Sequence, residues 1–217
     1  MYKYFVSVVC MLFCVVCSLN AQSDNKPLEN QASLVFGVSQ LVIGGYNVEG
    51  NLFLQRLALE YSHGVSLNLS NDFLEAGNDK SQYLDIHLPW TTGFGIGYRF
   101  NNWLNLRVES KWHKFELYQA GAEEIASNLL LDYTTFTLGL GLYANLKPFK
   151  NQDNLLKGLM IVPNFRWWPK VSSSLADDQV SYFNNRTGEQ EIHEAREIGI
   201  GNTPFFYNFS VGYSIAF

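Results

Sequence analysis

The chain has 217 residues, enough for one domain with a sizeable core or for one small barrel. Charged residues make up 16% of it, well below the roughly 25% of an average soluble domain, and aromatic residues make up 15%. Without Lys3 the chain has 14 basic and 20 acidic residues and a net charge of −6. This balance argues against nucleic acid as a partner.

The first 21 residues predict a secretory signal peptide. Lys3 is their only charged residue, the run from Phe5 to Leu19 is apolar, and Ala21 precedes a polar segment. The apolar run is too short for a transmembrane helix, which needs about 20 residues. All three cysteines lie in this segment, so the exported chain has no disulfides and no thiol chemistry. Residues 22–31 are polar and are expected to form a flexible N-terminal segment.

From residue 32 onward, apolar residues alternate with small or polar ones, and this period of two predicts β-strands. In the clearest run, 56–70, the odd positions are apolar or aromatic apart from His63. Pro163 fits its run badly, since a closed barrel has no free edge to excuse its missing N–H, so a bulge or a later strand start is expected. Eight runs are predicted: 32–40, 47–54, 56–70, 92–100, 104–113, 135–146, 157–171 and 205–217.

The links between these runs alternate between short and long. Outer-membrane barrels combine short periplasmic turns with long external loops in this way. Residues 32–217 are therefore predicted to form an all-β, antiparallel up-and-down transmembrane β-barrel of about eight strands, with eight favoured over ten. The short links fall at Gln55, 101–102 and 148–157, the long ones at 71–90, 119–132 and 172–203, and the link at 41–46 takes the remaining external place.

The less apolar face of the strands separates a membrane barrel from a soluble one. A soluble barrel usually exposes many Lys, Glu and Asp residues on its outside. Here that face is dominated by Gly, Ser, Thr and Asn, which fit the narrow lumen of an eight-stranded barrel. Charges in the lumen are expected to form salt bridges, because unpaired buried charge is costly. The predicted lumen charges are Glu49, Arg56, Glu60, Arg99, Arg107, Glu109, Lys111 and Arg166.

Aromatic residues gather near the predicted strand ends, as they do in the girdles at the two membrane interfaces. The alternative interpretation is the ordinary enrichment of aromatic residues in strands. The predicted girdles contain Phe100, Trp103, Phe149 and Phe217 on the periplasmic side, and Trp90, Trp112, Tyr133 and Trp167 on the external side.

The last run ends in a C-terminal Phe with apolar or aromatic residues at every second position: Phe209, Val211, Tyr213, Ile215 and Phe217. This pattern is similar to the terminal β-signal of outer-membrane barrels. The chain resembles small Gram-negative outer-membrane barrels such as the transmembrane domain of outer membrane protein A. As architecture the resemblance covers nearly the whole mature chain, and as a specific motif only its end. It implies location in the cell outer membrane, contact with outer-membrane lipid, and the barrel-insertion machinery as a partner during biogenesis.

His63 is the most conspicuous candidate for chemistry, because it is predicted to face lipid, where an ionisable group is costly. Some outer-membrane barrels that deacylate lipid A carry a His and a Ser two residues apart on the outer wall. Here Ser66 is three residues from His63 and is predicted to face the lumen. A neutral interfacial His near the external rim, or a bulge at Gly64, is therefore the favoured interpretation.

Three further histidines stand near acidic residues. His113 shares a predicted lumen face with Glu109, which suits either acid–base chemistry or a structural network. His87 and His193 are predicted to lie in loops, and a single His with carboxylates is a weak metal site. No catalytic residue, metal or cofactor is assigned.

The leading hypothesis is a non-enzymatic outer-membrane barrel with a largely closed, charge-networked lumen. Such a protein would be a membrane anchor, a surface-contact protein or a narrow, porin-like pore. One alternative is an outer-membrane lipid-modifying enzyme that uses rim residues such as His63. Another is a soluble periplasmic barrel that binds a small apolar ligand. The longest loop, 172–203, is expected to contain an external hairpin after Tyr182-Phe183.

Overall fold

The computed structural model describes residues 27–42, 44–69 and 82–217. The predicted signal peptide, residues 22–26 of the predicted flexible segment and much of the predicted loop at 71–90 lie outside the described residues. None of the helices in the described ranges has the length and apolar character needed to cross a membrane.

The described residues are almost entirely β-structure. One short helix, α1, spans Val38–Val42, and single 3-10 turns occupy Ala126–Asn128, Leu155–Gly158 and Ala176–Asp178. The strands are β1 (Gln31–Gly37), β2 (Tyr46–Leu54), β3 (Leu57–Asn68), β4 (Leu84–Arg99), β5 (Leu104–Gln119), β6 (Leu129–Ala144), β7 (Leu159–Trp167), β8 (Lys170–Ser173), β9 (Gln179–Asn184), β10 (Glu189–Glu194) and β11 (Phe205–Ala216).

Eight strands close into a barrel. Neighbouring strands run in the order β1-β2-β3-β4-β5-β6-β7-β11, and every pair is antiparallel. The ring closes because β11 pairs with β1 as well as with β7, with Gln31 opposite Ala216. The predicted eight-stranded antiparallel barrel is therefore confirmed. β8 continues the line of β7 along β6, and β9 and β10 form a separate two-stranded hairpin.

The outer wall is apolar, and the inward-facing side chains are buried. Phe94 and Leu138 are 56% and 45% exposed, and Leu57 and Leu106 are also exposed. These side chains point away from the barrel and do not converge on a central core. The opposite faces of the same strands are buried, as the strict alternation along β1 illustrates. The prediction that apolar side chains point outward is confirmed for the strand segments from the short turns at Gln55 and 101–102 to the middle of the barrel.

Three central strands are longer than the sequence predicts. β4 begins at Leu84 and not at 92, β5 continues to Gln119, and β6 begins at Leu129. The register of β4 against β5 shifts between His87 and Thr91, so the alternation changes phase there. Because of this bulge and the adjacent Pro89, the alternation does not reveal that β4 begins at Leu84. The sequence therefore predicts the first residues of β4 as part of the loop at 71–90.

Ser66 reverses the faces of β3. Its φ of 56° lies in the left-handed region, which residues other than glycine rarely adopt. As a result Leu67 and Leu69 turn into the barrel, although the alternation from Leu57 predicts that they face outward. Ser66 itself is exposed on the outer wall, so its predicted position in the lumen is wrong.

Pro163 lies inside β7 without a bulge. Tyr143 pairs with Asn164, and Leu146 forms a bridge with Ile161 in the same register. The ladder between β6 and β7 is interrupted at the positions between these pairs, where Pro163 has no N–H to donate. β7 does begin two residues later than the predicted run, at Leu159, but it still contains Pro163. The strand passes through this residue and loses pairing on one side.

The short-turn end of the barrel holds the described start of the chain. Asn102 donates to the carbonyl oxygen of Pro27 at 3.0 Å and accepts from the amide of Glu29 at 3.1 Å. The Phe217 amide donates to the carbonyl oxygen of Asn30. Residues 27–31 are therefore held against the barrel, which departs from the flexible segment expected there.

Candidate functional site

The lumen contains a network of buried charges with Arg107 at its centre. Its Nη1 atom lies 2.8 Å from Glu49 Oε1 and 2.8 Å from Glu60 Oε2. Its guanidinium also lies over the Tyr143 ring, 3.8 Å from the ring centroid. A Cβ at Gly95 would lie 2.9 Å from Glu60 Oε2, so the small residue on the facing strand makes room for the carboxylate.

Two further cations complete this network. Lys111 Nζ lies 2.7 Å from Glu60 Oε1, and Arg166 Nη2 lies 3.0 Å from Glu49 Oε2. Arg166 Nε donates to the hydroxyl of Tyr143 at 2.7 Å, and Tyr143 donates to Glu109. Three cations thus meet three carboxylates inside the barrel. We call Glu49, Glu60, Arg107, Glu109, Lys111 and Arg166 the lumen network.

The other two predicted lumen charges are not members of the lumen network. Arg99 is buried at the short-turn end, where it donates to the carbonyl oxygens of Glu29 at 2.8 Å and Gln55 at 3.0 Å. Arg56 is exposed in the turn between β2 and β3, and its Nη1 donates to the hydroxyl of Tyr98 on the outer wall. The prediction that Arg56 lies in the lumen is therefore wrong, because the turn at residue 55 ends the alternation on which the prediction relied.

Above the lumen network, the barrel interior becomes apolar. Trp168 turns inward after β7 and separates the two layers: its ring lies 4.7 Å from Lys111 Nζ and 4.6 Å from Arg166 Cζ. On its other side it belongs to a cluster that we call the upper core. The upper core consists of Leu67, Leu69, Leu84, Ile86, Leu88, Phe115, Leu117, Tyr133, Trp168, Tyr182, Ala195 and Ile198.

The chain between β8 and β11, residues 174–204, folds over the long-loop end, and we call it the cap. Its β9–β10 hairpin confirms the predicted hairpin in the longest loop. Asn184 Nδ2 donates to the carbonyl oxygen of Gln82 at 2.8 Å, and Gln82 Nε2 donates to that of Ile192 at 2.9 Å. The cap also contributes Tyr182, Ala195 and Ile198 to the upper core, so it packs onto the long-loop end of the barrel.

His193 anchors the cap from inside. It is buried, and its Nε2 lies 3.1 Å from the hydroxyl of Tyr133. Burial, together with the nearby cations Arg196 and Lys170, lowers the pKa of His193 to about 4. At neutral pH the imidazole is therefore uncharged, which suits its buried position between the cap and the barrel.

Two predicted candidates for chemistry have ordinary structural surroundings. His113 is buried between Thr91 and Thr137, at 2.7 Å and 3.0 Å from their hydroxyls, and is not hydrogen-bonded to Glu109. His63 lies on the outer wall between Val48 and Thr92. Within 27–42, 44–69 and 82–217 no group of three or more His, Cys, Asp or Glu residues is arranged to hold a metal ion.

The fourth histidine, His87, occupies a different setting. His87 lies in β4, not in a loop, and faces the outer wall near the long-loop end. Its Nε2 is 3.3 Å from Ser66 Oγ, and its Nδ1 is 3.3 Å from Glu116 Oε2. We call Ser66, His87 and Glu116 the rim triad. Sequence reasoning missed it because the bulge in β4 and the left-handed Ser66 hide which side chains share a face.

The predicted aromatic girdles are largely on the outer wall. Phe100, Phe149, Phe217, Trp112 and Trp167 are exposed, and Trp90 and Trp103 are half-buried. Tyr133 departs from the prediction, because it is buried in the upper core, where it stacks on Phe115. The five predicted β-signal residues all lie exposed on the outside of the barrel: Phe209, Val211, Tyr213, Ile215 and Phe217.

No protein-family model and no curated protein matches this chain. The solved structures that are similar to it include two outer-membrane proteins. One is Ail, the attachment invasion locus protein of Yersinia pestis, solved in complex with the heparin analogue sucrose octasulfate. Its sequence is 10% identical to this chain, and the TM-score is 0.42. The match covers 86% of this chain and 99% of Ail. The other is a major outer membrane protein from Thermus thermophilus, also 10% identical, with 87% and 98% covered and a TM-score of 0.43. Both neighbours are outer-membrane β-barrel proteins, and the barrel assignment of this chain rests on its own strand pairing.

Proposed function

We propose that the protein is an outer-membrane barrel with a sealed lumen, which acts as a rigid, non-conducting scaffold for contacts at the cell surface. The burial of the inward-facing side chains is the observation that carries this proposal. Ion conduction needs a continuous aqueous path, and here both levels of the interior are filled by buried side chains. The lower level is the lumen network and the upper level is the upper core.

The outer wall supports placement in a bilayer. Exposed Phe94, Leu138 and Phe209 belong to an apolar surface that water would disfavour and hydrocarbon would accept. A tilted membrane-spanning strand needs about 9 to 11 residues. β4, β5 and β6 have 16 residues each, so they span the apolar zone and extend beyond it at the long-loop end. The same exposed wall disfavours a soluble barrel with a central ligand site.

The two ends of the barrel suit different sides of the membrane. The short-turn end holds both described termini, Pro27 and Phe217, close to the turn that contains Asn102. The long-loop end carries the cap, whose hairpin stands on extended strands. In outer-membrane barrels the long loops are external. The cap is therefore the surface that the protein presents for contact outside the cell.

Planar-bilayer recording of the purified chain tests the sealed lumen. The unaltered protein is expected to show no stable conductance steps. Two alterations applied together should open a conducting path. The first replaces residues 176–198 by a short Gly-Ser linker and so removes most of the cap. The second, Glu49→Ala with Arg107→Ala, removes two side chains of the lumen network without changing its net charge. Each alteration alone should leave the other level closed.

Large, stable conductance steps from the unaltered protein would contradict the proposal. A gel run with and without heating provides the folding control, since a folded membrane barrel shifts mobility when it is boiled. Cell fractionation provides the control for location: the protein is expected to require detergent for extraction. Its appearance in a detergent-free periplasmic extract would contradict placement in the membrane.

A further inference from the structure

The rim triad joins a hydroxyl, an imidazole and a carboxylate through two hydrogen-bond contacts. The three residues come from neighbouring strands β3, β4 and β5, and the register places His87 opposite Glu116 and next to Asn68. With its proton on Nδ1, His87 donates to Glu116 and leaves Nε2 free to accept from the Ser66 hydroxyl. This is the arrangement in which a histidine activates a serine as a nucleophile.

The surroundings of the rim triad support this role. The hydroxyl of Tyr118 donates to Glu116 Oε2 at 3.0 Å and fixes the carboxylate. A second carboxylate, Glu124, lies 3.7 Å from His87 Nδ1. The side chains of His87 and Glu116 are only 14% and 24% exposed, whereas Ser66 is open to its surroundings. The base is thus held and partly shielded from water, and the nucleophile is accessible.

Ser66 also has a strained backbone. Its φ of 56° is unfavourable for serine within a strand, and strain of this kind concentrates at functional sites. Here the left-handed residue turns the hydroxyl to the outer wall while Leu67 enters the upper core. A glycine would adopt this backbone more easily, so the serine at this position is not explained by backbone geometry alone.

We propose that the rim triad is a hydrolytic site for acyl esters, with Ser66 as the nucleophile, His87 as the general base and Glu116 as the positioning residue. Ser66 Oγ bonds to the ester carbonyl carbon as its proton passes to His87 Nε2. The adduct expels the alcohol, which takes that proton, and an acyl-Ser66 ester remains. Water then adds to the acyl carbon, gives a proton to His87, and releases the fatty acid as Ser66 recovers the proton. The net reaction consumes one ester and one water.

The position of the rim triad indicates the substrate class. Ser66 is nine residues along β3 from Leu57, which corresponds to roughly 23 Å along the barrel axis, near the upper limit of an apolar band about 25 Å tall. His87 lies beyond Trp90, and Glu116 lies beyond Trp112, on their strands. The site opens sideways from the wall and not into the lumen. Given the membrane placement proposed above, it faces the level of the lipid ester groups, so the substrate is an acylated lipid of the outer leaflet.

The purified full chain in mixed micelles tests this activity. The probes are p-nitrophenyl palmitate, p-nitrophenyl acetate as a soluble ester, and a fluorophosphonate that labels activated serines. The micellar ester should be hydrolysed faster than the soluble one, and the label should map to Ser66. Ser66→Gly and Ser66→Ala should abolish labelling, and with His87→Gln they should lower kcat/KM about 10²- to 10³-fold or more.

Controls separate catalysis from a structural role. Ser110→Ala removes another outer-wall hydroxyl, which donates to the Phe94 carbonyl oxygen at 3.5 Å, and should leave hydrolysis and labelling unchanged. Glu116→Gln should lower kcat with little change in KM, and Glu116→Asp should restore part of the loss. Every variant must keep the mobility shift on heating.

Two outcomes would overturn the proposal. One is the absence of both hydrolysis and Ser66 labelling in heat-shifting protein. The other is unchanged hydrolysis in Ser66→Gly. Faster hydrolysis of the soluble ester would overturn the assignment to lipid. These results are independent of the conductance experiment, so a failed esterase assay leaves the sealed lumen intact, and a conducting lumen leaves the rim triad intact.

Discussion

The lumen network and the upper core fill the same barrel by opposite means. The lower layer pairs Arg107, Lys111 and Arg166 with three carboxylates, and all of its members come from barrel strands. The upper layer is mainly apolar, with the buried His193 hydrogen-bonded to Tyr133, and takes Tyr182, Ala195 and Ile198 from the cap. The charged layer is therefore complete once the barrel closes, whereas the apolar layer is complete only when the cap folds onto it.

This difference indicates how each layer fails. A buried charge network depends on every partner, because removing one member leaves an opposite charge buried without compensation. An apolar cluster loses free energy in proportion to the contacts removed, and its neighbours partly relax. Damage to the lumen network should thus weaken the whole barrel, and damage to the upper core should first release the cap.

The largest effect is expected for Glu60→Ala. Glu60 accepts from both Arg107 and Lys111, so its loss leaves two cations in the lumen with fewer partners. The barrel should lose about 3–5 kcal/mol of free energy of unfolding, measured by urea unfolding in lipid vesicles. Arg56→Ala, in the exposed turn between β2 and β3, is the matched control and should cost less than about 1 kcal/mol. Equal losses in the two variants would contradict the distinction between network and surface charges.

An intermediate effect is expected for Leu117→Ala. Leu117 is fully buried in the upper core, so the truncation should cost about 2–4 kcal/mol, mostly as a loosened cap. Limited proteolysis should cut within residues 174–204 faster than in the unaltered protein. The mobility shift on heating should persist, since the lumen network is intact. Unchanged proteolysis of the cap would show that the upper core does not hold it.

The smallest effect concerns pH. The pKa of His193 falls from an ordinary 6.5 to about 4 in the folded cap. Between these values the unfolded cap binds a proton that the folded cap excludes, so stability present above pH 6.5 is lost as the pH falls toward 4. The loss should reach about 1–2 kcal/mol near pH 5. Hydrogen exchange in the cap should accelerate from pH 7 to pH 5 after correction for the intrinsic rate, and much less so in His193→Gln.

The sequence predicts the residues of the lumen network better than those of the upper core and the rim triad. Six charges of the lumen network lie on regular strands, where alternation alone assigns the inward face. Tyr133 and the residues from Leu84 to Leu88 were misplaced, because aromatic and apolar side chains suit a lipid-facing wall and an upper core equally well. His87 and Glu116 are far apart in sequence, and only the register of β4 on β5 brings them together.

The amino-acid sequence by itself determined the class of fold and the direction of its faces. A period of two with an apolar outer face is a local property, and closing eight such strands follows from the need to pair every edge. The tertiary structure decided what meets inside and on the rim. Three features change which face a side chain occupies. They are the bulge in β4, the left-handed backbone of Ser66, and the packing of Trp168 and the cap inside the barrel. These changes depend on packing between distant segments, and therefore no local pattern records them.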